Sequence, residues 1–60
     1  MNNNKIKAIT TYLLYCYQDM TIAEIRKLLK RLVKLGVTKL GNVELTNNYI
    51  NNITQVQFEV

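Results

Sequence analysis

The sequence has 60 residues, and its eight Lys and Arg residues against four Asp and Glu give a formal net charge of +4. A chain of this length makes one domain and buries only about 60% of the surface that its unfolded form exposes, so a second copy could usefully support its thin core. The single Cys16 excludes an internal disulfide, and the absence of His leaves no zinc-ligand set. With no apolar run of about 18 residues and no signal-peptide core, we expect a soluble, cytoplasmic protein without a membrane partner.

The first 18 residues predict a short leader and a helix. Residues 1–4 are expected to be a flexible polar leader, with Asn4 as the N-cap of the first helix. From Lys5 to Gln18 apolar residues recur at helical spacing without Gly or Pro; TTYLLYCY would also suit a strand, but the length favours a helix. The apolar side comprises Ile6, Ile9, Leu13, Cys16 and Tyr17.

The stretch from Met20 to Gly36 predicts a second helix with both ends defined. Thr21 is a good N-cap, and Glu24 stands where a capping box needs a carboxylate. Met20 and Ile25 occupy the two hydrophobic-staple positions, and Gly36 can adopt the left-handed conformation that ends a helix. Because only residues 18–20 connect the two helices, we expect them to pack as an αα unit. The apolar side comprises Ile22, Ile25, Leu28, Leu29, Leu32, Val33 and Leu35.

A β-hairpin is predicted after the second helix. Residues 37–40 and 43–46 flank a Gly-Asn dipeptide, which favours a two-residue turn because Gly tolerates a positive φ. The resulting register places Lys39 opposite Glu44 and Leu40 opposite Val43.

The C-terminal residues predict a loop and a third strand. Residues 47–52 are rich in Asn, which favours a loop with room for one helical turn. Residues 54–60 alternate strictly, with Val56, Phe58 and Val60 on one face. The predicted fold is therefore α+β, in the order ααβββ, with two N-terminal helices packed on a small antiparallel sheet of two to three strands. If the last strand lies at the sheet edge, it could pair with a second copy.

Residues suited to catalysis are scarce. The sequence lacks His, and its four acidic residues are scattered without a Gly-rich phosphate loop or metal-ligand spacing. The capping box accounts for Glu24 and the turn accounts for Asp19, while Cys16 is expected to be a small buried hydrophobe of the first helix. We therefore predict a protein that is not an enzyme and has no cofactor, no metal and no small-molecule substrate.

The second helix carries a basic face opposite its apolar side. Within an arc of about 140° at 3.6 residues per turn, this face comprises Arg26, Lys27, Lys30, Arg31 and Lys34. Such cations can neutralise phosphates and release counterions. Two interpretations stay open. The face could simply be solvated, since any surface helix needs a polar side, or it could contact an anionic partner. A merely solvated face usually mixes charge signs, and this one has no acidic residue after Glu24. The predicted partner is nucleic acid or an acidic protein surface.

A second flank of the first helix carries Ala8, Tyr12 and Tyr15. Tyrosines on such a flank are common interface residues and could form a homodimer contact. The alternative interpretation is that Tyr12 and Tyr15 simply pack under the sheet.

The order of these elements resembles a known family. A helix, a short turn, a capped helix beginning TIAEI, and RLVKLGV leading into a hairpin with VELT are together similar to the C-terminal part of a winged helix-turn-helix domain. The resemblance covers residues 9 to 60 and matches residues 31–37 with the end of the recognition helix and residues 43–46 with the wing. It implies that the second helix enters the major groove of DNA, with dimers on two half-sites. The family normally has three helices, whereas this sequence predicts two.

Two functional hypotheses are consistent with these features. The first is a small non-enzymatic binding protein whose basic helix contacts nucleic acid, such as a phage-type or bacterial DNA-binding regulator. The alternative is a protein-interaction module, such as a small phage-type inhibitor or adaptor that binds a host protein, as a monomer or a homo-oligomer.

Overall fold

Two packed helices form the N-terminal half of the chain in the computed structural model, which describes residues 3–59. Helix α1 spans Asn3–Cys16 and α2 spans Ile22–Lys34, with a single 3-10 turn at Tyr17–Asp19 between them. This confirms the predicted αα unit. The helix extends into the polar leader, so Asn4 lies inside α1 and the prediction that it caps the helix is wrong. Met1 and Asn2 of the predicted leader lie outside the described residues.

The N-terminus of α2 is capped by Thr21. Its hydroxyl oxygen accepts a hydrogen bond from the Glu24 backbone N–H at 3.2 Å, as predicted. The same hydroxyl donates to Glu24 Oε1 at 3.2 Å. The capping box predicts that the Glu24 carboxylate accepts from the Thr21 backbone N–H, whereas the hydrogen bond described for it comes from the Thr21 hydroxyl, beside the positive end of the helix dipole.

The C-terminus of α2 ends in a Schellman motif. Gly36 has a φ of +96°, which is the left-handed conformation predicted for it. Its N–H donates to the Val33 carbonyl at 3.1 Å, and the Val37 N–H donates to the Leu32 carbonyl at 3.0 Å. These two hydrogen bonds satisfy carbonyls that the helix end would otherwise leave free, and they direct the chain into the hairpin.

The hairpin has the predicted register. Strands β1 (Lys39–Leu40) and β2 (Val43–Glu44) pair antiparallel, with Lys39 opposite Glu44 and Leu40 opposite Val43. Gly41 has a φ of +60°, and no residue other than glycine has a positive φ within residues 3–59. A positive φ at the first turn position alone is typical of a type II′ turn, whose twist suits a hairpin.

A short helix comes after the hairpin where the sequence predicted mainly a loop. Helix α3 spans Asn47–Asn51, and the hydroxyl of Thr46 caps it by accepting from the Tyr49 N–H at 3.0 Å. Thr46 is predicted from the sequence as a residue of the second strand, whereas in the structure it is the N-cap of α3. At the other end, the Asn52 side-chain amide donates to the Asn48 carbonyl at 2.8 Å.

The predicted third strand is wrong for residues 54–59, which form no ladder with the hairpin; Val60 lies outside the described residues. The alternation instead describes burial, because Phe58 is buried and Val56 half-buried while the residues between and around them are exposed. This segment crosses the hairpin turn, where the Glu59 N–H donates to Asn42 Oδ1 at 3.3 Å. An alternating pattern therefore indicates one buried face and does not by itself specify strand pairing.

The core lies between the two long helices, the hairpin, α3 and the C-terminal segment. The element order confirms the predicted α+β fold, and its sheet has two strands, the lower of the two numbers predicted. Within residues 3–59, no helix combines the length and apolar character that crossing a bilayer requires. The buried side chains are Leu13, Ile25, Leu29, Leu32, Leu40, Leu45, Ile50, Ile53 and Phe58.

Candidate functional site

Four cations form one exposed row along α2. Their spacing places them on one side of the helix, where they line an open depression of about 320 Å³. The structure shows no hydrogen bond from any of these side chains to another group within residues 3–59. The four residues are Lys27, Lys30, Arg31 and Lys34.

Arg26, the fifth cation predicted for this face, is used differently. Its side chain is half-buried, with Nε donating to the Ile50 carbonyl at 3.2 Å and Nη2 donating to the Ile53 carbonyl at 3.3 Å. These two hydrogen bonds tie α2 to the C-terminal end of α3. Arg26 therefore lies outside the exposed row, at the edge of the predicted arc where α3 covers it.

A second depression lies between α1 and α2. Its lining includes Tyr12 from α1 and the Lys27 and Arg31 side chains that also line the first depression. Because the two depressions share these cations, they make one continuous surface, which we call the open face. Its members are Tyr12, Glu24, Lys27, Leu28, Lys30, Arg31 and Lys34.

The two tyrosines of the α1 flank are exposed. Tyr12 has 47% and Tyr15 has 67% of its surface accessible, so the interpretation that they pack under the sheet is wrong. Leu13 is the fully buried residue of α1, and helical geometry turns its neighbour Tyr12 toward the α2 residues that line the second depression. Tyr17 shows the opposite environment, since its ring packs edge-on against Phe58 with centroids 5.6 Å apart. Whether the flank is an interface stays a prediction.

The remaining candidate residues do not form a second site. Cys16 is half-buried at the end of α1, less enclosed than the sequence predicted. In the part of the chain that the structure describes, no group of three His, Cys, Asp or Glu residues is close enough to hold a metal ion. The open face is thus where the charged and aromatic side chains meet.

No protein-family model, curated protein or solved structure matches this chain. The resemblance to a winged helix-turn-helix domain therefore stays a prediction.

Proposed function

We propose that this protein binds nucleic acid through its open face. The observation that supports the proposal is the row of four exposed cations on one side of α2, without a hydrogen-bond partner inside the described part of the protein. Each of these side chains is free to contact a phosphate and release a counterion. Partner binding would then be strong at low salt and weaken steeply as salt is added.

The arrangement of the cations costs the isolated protein some stability. Lys27 lies three residues before Lys30 and four before Arg31, and Lys34 lies four residues after Lys30 and three after Arg31. Like charges at these helical spacings repel by roughly 0.2–0.5 kcal/mol per pair. An anionic ligand relieves this repulsion, whereas solvation alone gives no reason for the row of four cations to contain no acidic residue after Glu24.

The dipole of α2 accounts for only part of the pattern. Arg31 and Lys34 lie in the last turn, where a cation interacts favourably with the helix C-terminus. Lys27 and Lys30 lie too far from that end to gain from it, because the effect falls off within one turn. A role in binding explains all four positions together.

The test is to measure binding of a fluorescein-labelled nucleic acid by anisotropy over a series of salt concentrations. We expect wild-type protein to bind at low salt, with log Kd rising linearly with log salt. The double variant Lys27→Gln/Arg31→Gln should bind more weakly and lower the salt slope by about 1.4–1.8, since each lost phosphate contact removes about 0.7–0.9.

The control variant is Lys7→Gln/Lys39→Gln, whose two lysines are exposed but lie outside the open face. Both double variants remove two positive charges and reduce the formal net charge from +4 to +2. If the control lost as much affinity as the test variant, net charge and not the open face would govern binding. If wild-type protein bound neither single strands nor duplexes at low salt, the proposed function would be wrong.

A further inference from the structure

An exposed aromatic ring borders the cations of the open face. Tyr12 lines the depression between α1 and α2 together with Lys27 and Arg31, and Tyr15 is exposed one helical turn farther along α1. Tyrosine presents a flat face that can stack on another ring. Phosphate-binding groups and a stacking group are therefore available on one surface.

We propose that the open face selects single-stranded over double-stranded nucleic acid, with Tyr12 stacking on an unpaired base while Lys27 and Arg31 contact the flanking phosphates. This inference depends on the proposed function and adds the class of nucleic acid. A positively charged groove combined with an aromatic platform is the arrangement that binds single strands without sequence preference. Tyr15 provides a second, more exposed ring for a neighbouring base.

In a duplex the tyrosine rings would find no exposed base face on which to stack. Its bases are stacked on one another and present only their edges in the grooves, so the π-face of a tyrosine ring gains nothing there. A single strand offers a π-face at every base. The cations alone would suit either form, and it is the exposure of Tyr12 beside them that favours the single strand.

A second copy of this chain would be a less favourable partner for the open face than a nucleic acid. Self-association across the open face would bring its cations close to the same cations of the other copy. With a net charge of +4 on each chain, such a contact is opposed by like-charge repulsion. An anionic partner meets the same surface with attraction.

Charge also orients the bound strand. Glu24 lines the depression between α1 and α2 together with Tyr12 and disfavours a phosphate there. Lys30 and Lys34 line only the first depression, whose lining residues are all cations. The phosphates would therefore run along α2 from Lys27 and Arg31 toward Lys30 and Lys34, and the bases would point toward α1.

The experiment compares three fluorescein-labelled probes at one salt concentration. They are a single strand of about 12 nucleotides, within the usual range of site sizes, a duplex of the same length, and an abasic single strand that keeps the phosphates but lacks the bases. Each is titrated with wild-type protein, Tyr12→Leu, Tyr12→Phe and Tyr15→Leu. Because Tyr12 is exposed, all variants should keep the wild-type circular dichroism spectrum and unfolding temperature.

We expect wild-type protein to bind the single strand tighter than the duplex and tighter than the abasic strand. Tyr12→Leu should weaken binding of the single strand by about tenfold, which is the loss of one stacked base, and leave the other two probes unchanged. Tyr12→Phe keeps the ring and should bind like wild type, and Tyr15→Leu should show a smaller loss. The protein has four Tyr and no Trp, so quenching of tyrosine emission by the unlabelled single strand should be smaller in Tyr12→Leu.

Two outcomes would overturn the inference. Equal affinity for single strand and duplex, with Tyr12→Leu unchanged on both, would leave nucleic-acid binding intact but remove the preference. If Tyr12→Leu bound the single strand as wild type does but had a lower molecular mass in light scattering than wild type, the open face would be a contact between two copies. Failure of every probe to bind would instead contradict the proposed function itself.

Discussion

The α1–α2 pair has two sides with the same residue types and different environments. On the covered side, where the hairpin, α3 and residues 54–59 pack, Arg26 donates to backbone carbonyls and Tyr17 packs on Phe58. On the open face, Arg31 and Tyr12 line a depression and stay accessible. The two arginines therefore differ in role although they are the same residue type, and so do the two tyrosines. What decides the role of each is whether the C-terminal half of the chain packs over it.

This difference has an energetic consequence in so small a domain. A chain of this size has a total stability of only about 3–9 kcal/mol at the usual value per residue. Side chains on the covered side contribute directly to that total, whereas those on the open face can change without unfolding the protein. Stability and binding should therefore be separable by mutation.

The largest expected effect is on the covered side at Phe58. Its ring is 5% exposed and packs edge-on against Tyr17, so Phe58→Ala should destabilise the protein by about 3–5 kcal/mol and leave much of it unfolded. Urea denaturation followed by circular dichroism measures this. The control Tyr15→Ala truncates an exposed ring and should change stability by less than about 0.5 kcal/mol. Equal effects of the two variants would show that residues 54–59 do not cover the helices.

Arg26 and Arg31 give the next comparison, on one helix. Arg26→Met removes two hydrogen bonds from a charged donor and should cost about 2 kcal/mol, or about 10 °C in Tm for a domain of this size. Arg31→Met should cost less than about 0.5 kcal/mol. In the anisotropy assay we expect the order to reverse, because Arg31→Met removes a phosphate contact of the open face, whereas the Arg26 guanidinium donates to the carbonyls of Ile50 and Ile53. An equal loss of affinity in Arg26→Met and Arg31→Met, measured where both variants are folded, would return Arg26 to the binding surface.

The two glycines test how closely the C-terminal segment crosses the hairpin. A Cβ at Gly41 would collide with the backbone carbonyl oxygen of Glu59, whereas a Cβ at Gly36 would meet open space. Both residues have a positive φ, so Ala at either position costs about 1 kcal/mol of backbone strain.

Gly41→Ala should therefore destabilise the protein by about 1 kcal/mol more than Gly36→Ala, because the collision adds to the strain. Thermal unfolding of the two variants measures the difference. If both lost the same stability, the segment would not lie against the turn.

Local patterns in the sequence predicted the helical hairpin and the β-hairpin correctly, because each depends on neighbours in the chain. The Thr21 cap, the Gly36 terminus and the pairing of Lys39 with Glu44 all arise from short-range geometry. The fate of residues 54–59 depends on contacts between distant parts of the chain. Their alternating burial was predictable, but whether an alternating segment joins a ladder is decided by the space beside the hairpin.

The sequence predicted the cations of the open face correctly but not where the face ends. Helical spacing identified the four exposed cations, but it also included Arg26, since nothing in the spacing shows that α3 covers the edge of the arc. The TNNY stretch at residues 46–49 was the one available indication of α3, because it places a capping hydroxyl three residues before the Tyr49 N–H. The exposure of Tyr12 required knowing which side of α1 faces the core.

The smallest expected effect concerns Tyr49 on α3, at the border of the covered side. Burial raises the pKa of Tyr49 above its usual value of 10.0, because desolvation disfavours the phenolate. The unfolded chain then loses this proton at a lower pH than the folded protein does. Stability is therefore fully present below about pH 10 and falls as the pH rises through the raised pKa of the folded state.

Tyr49→Phe removes this titration while keeping the ring. The difference in free energy of unfolding between wild type and Tyr49→Phe should be constant below about pH 10 and should shift in favour of the variant above it. The difference between the two proteins isolates the contribution of the Tyr49 phenol, so both proteins are measured over the same pH range. If the difference in free energy of unfolding stayed constant through the alkaline range, Tyr49 would be as solvated in the folded protein as in the unfolded chain. The covered side would then end before this residue.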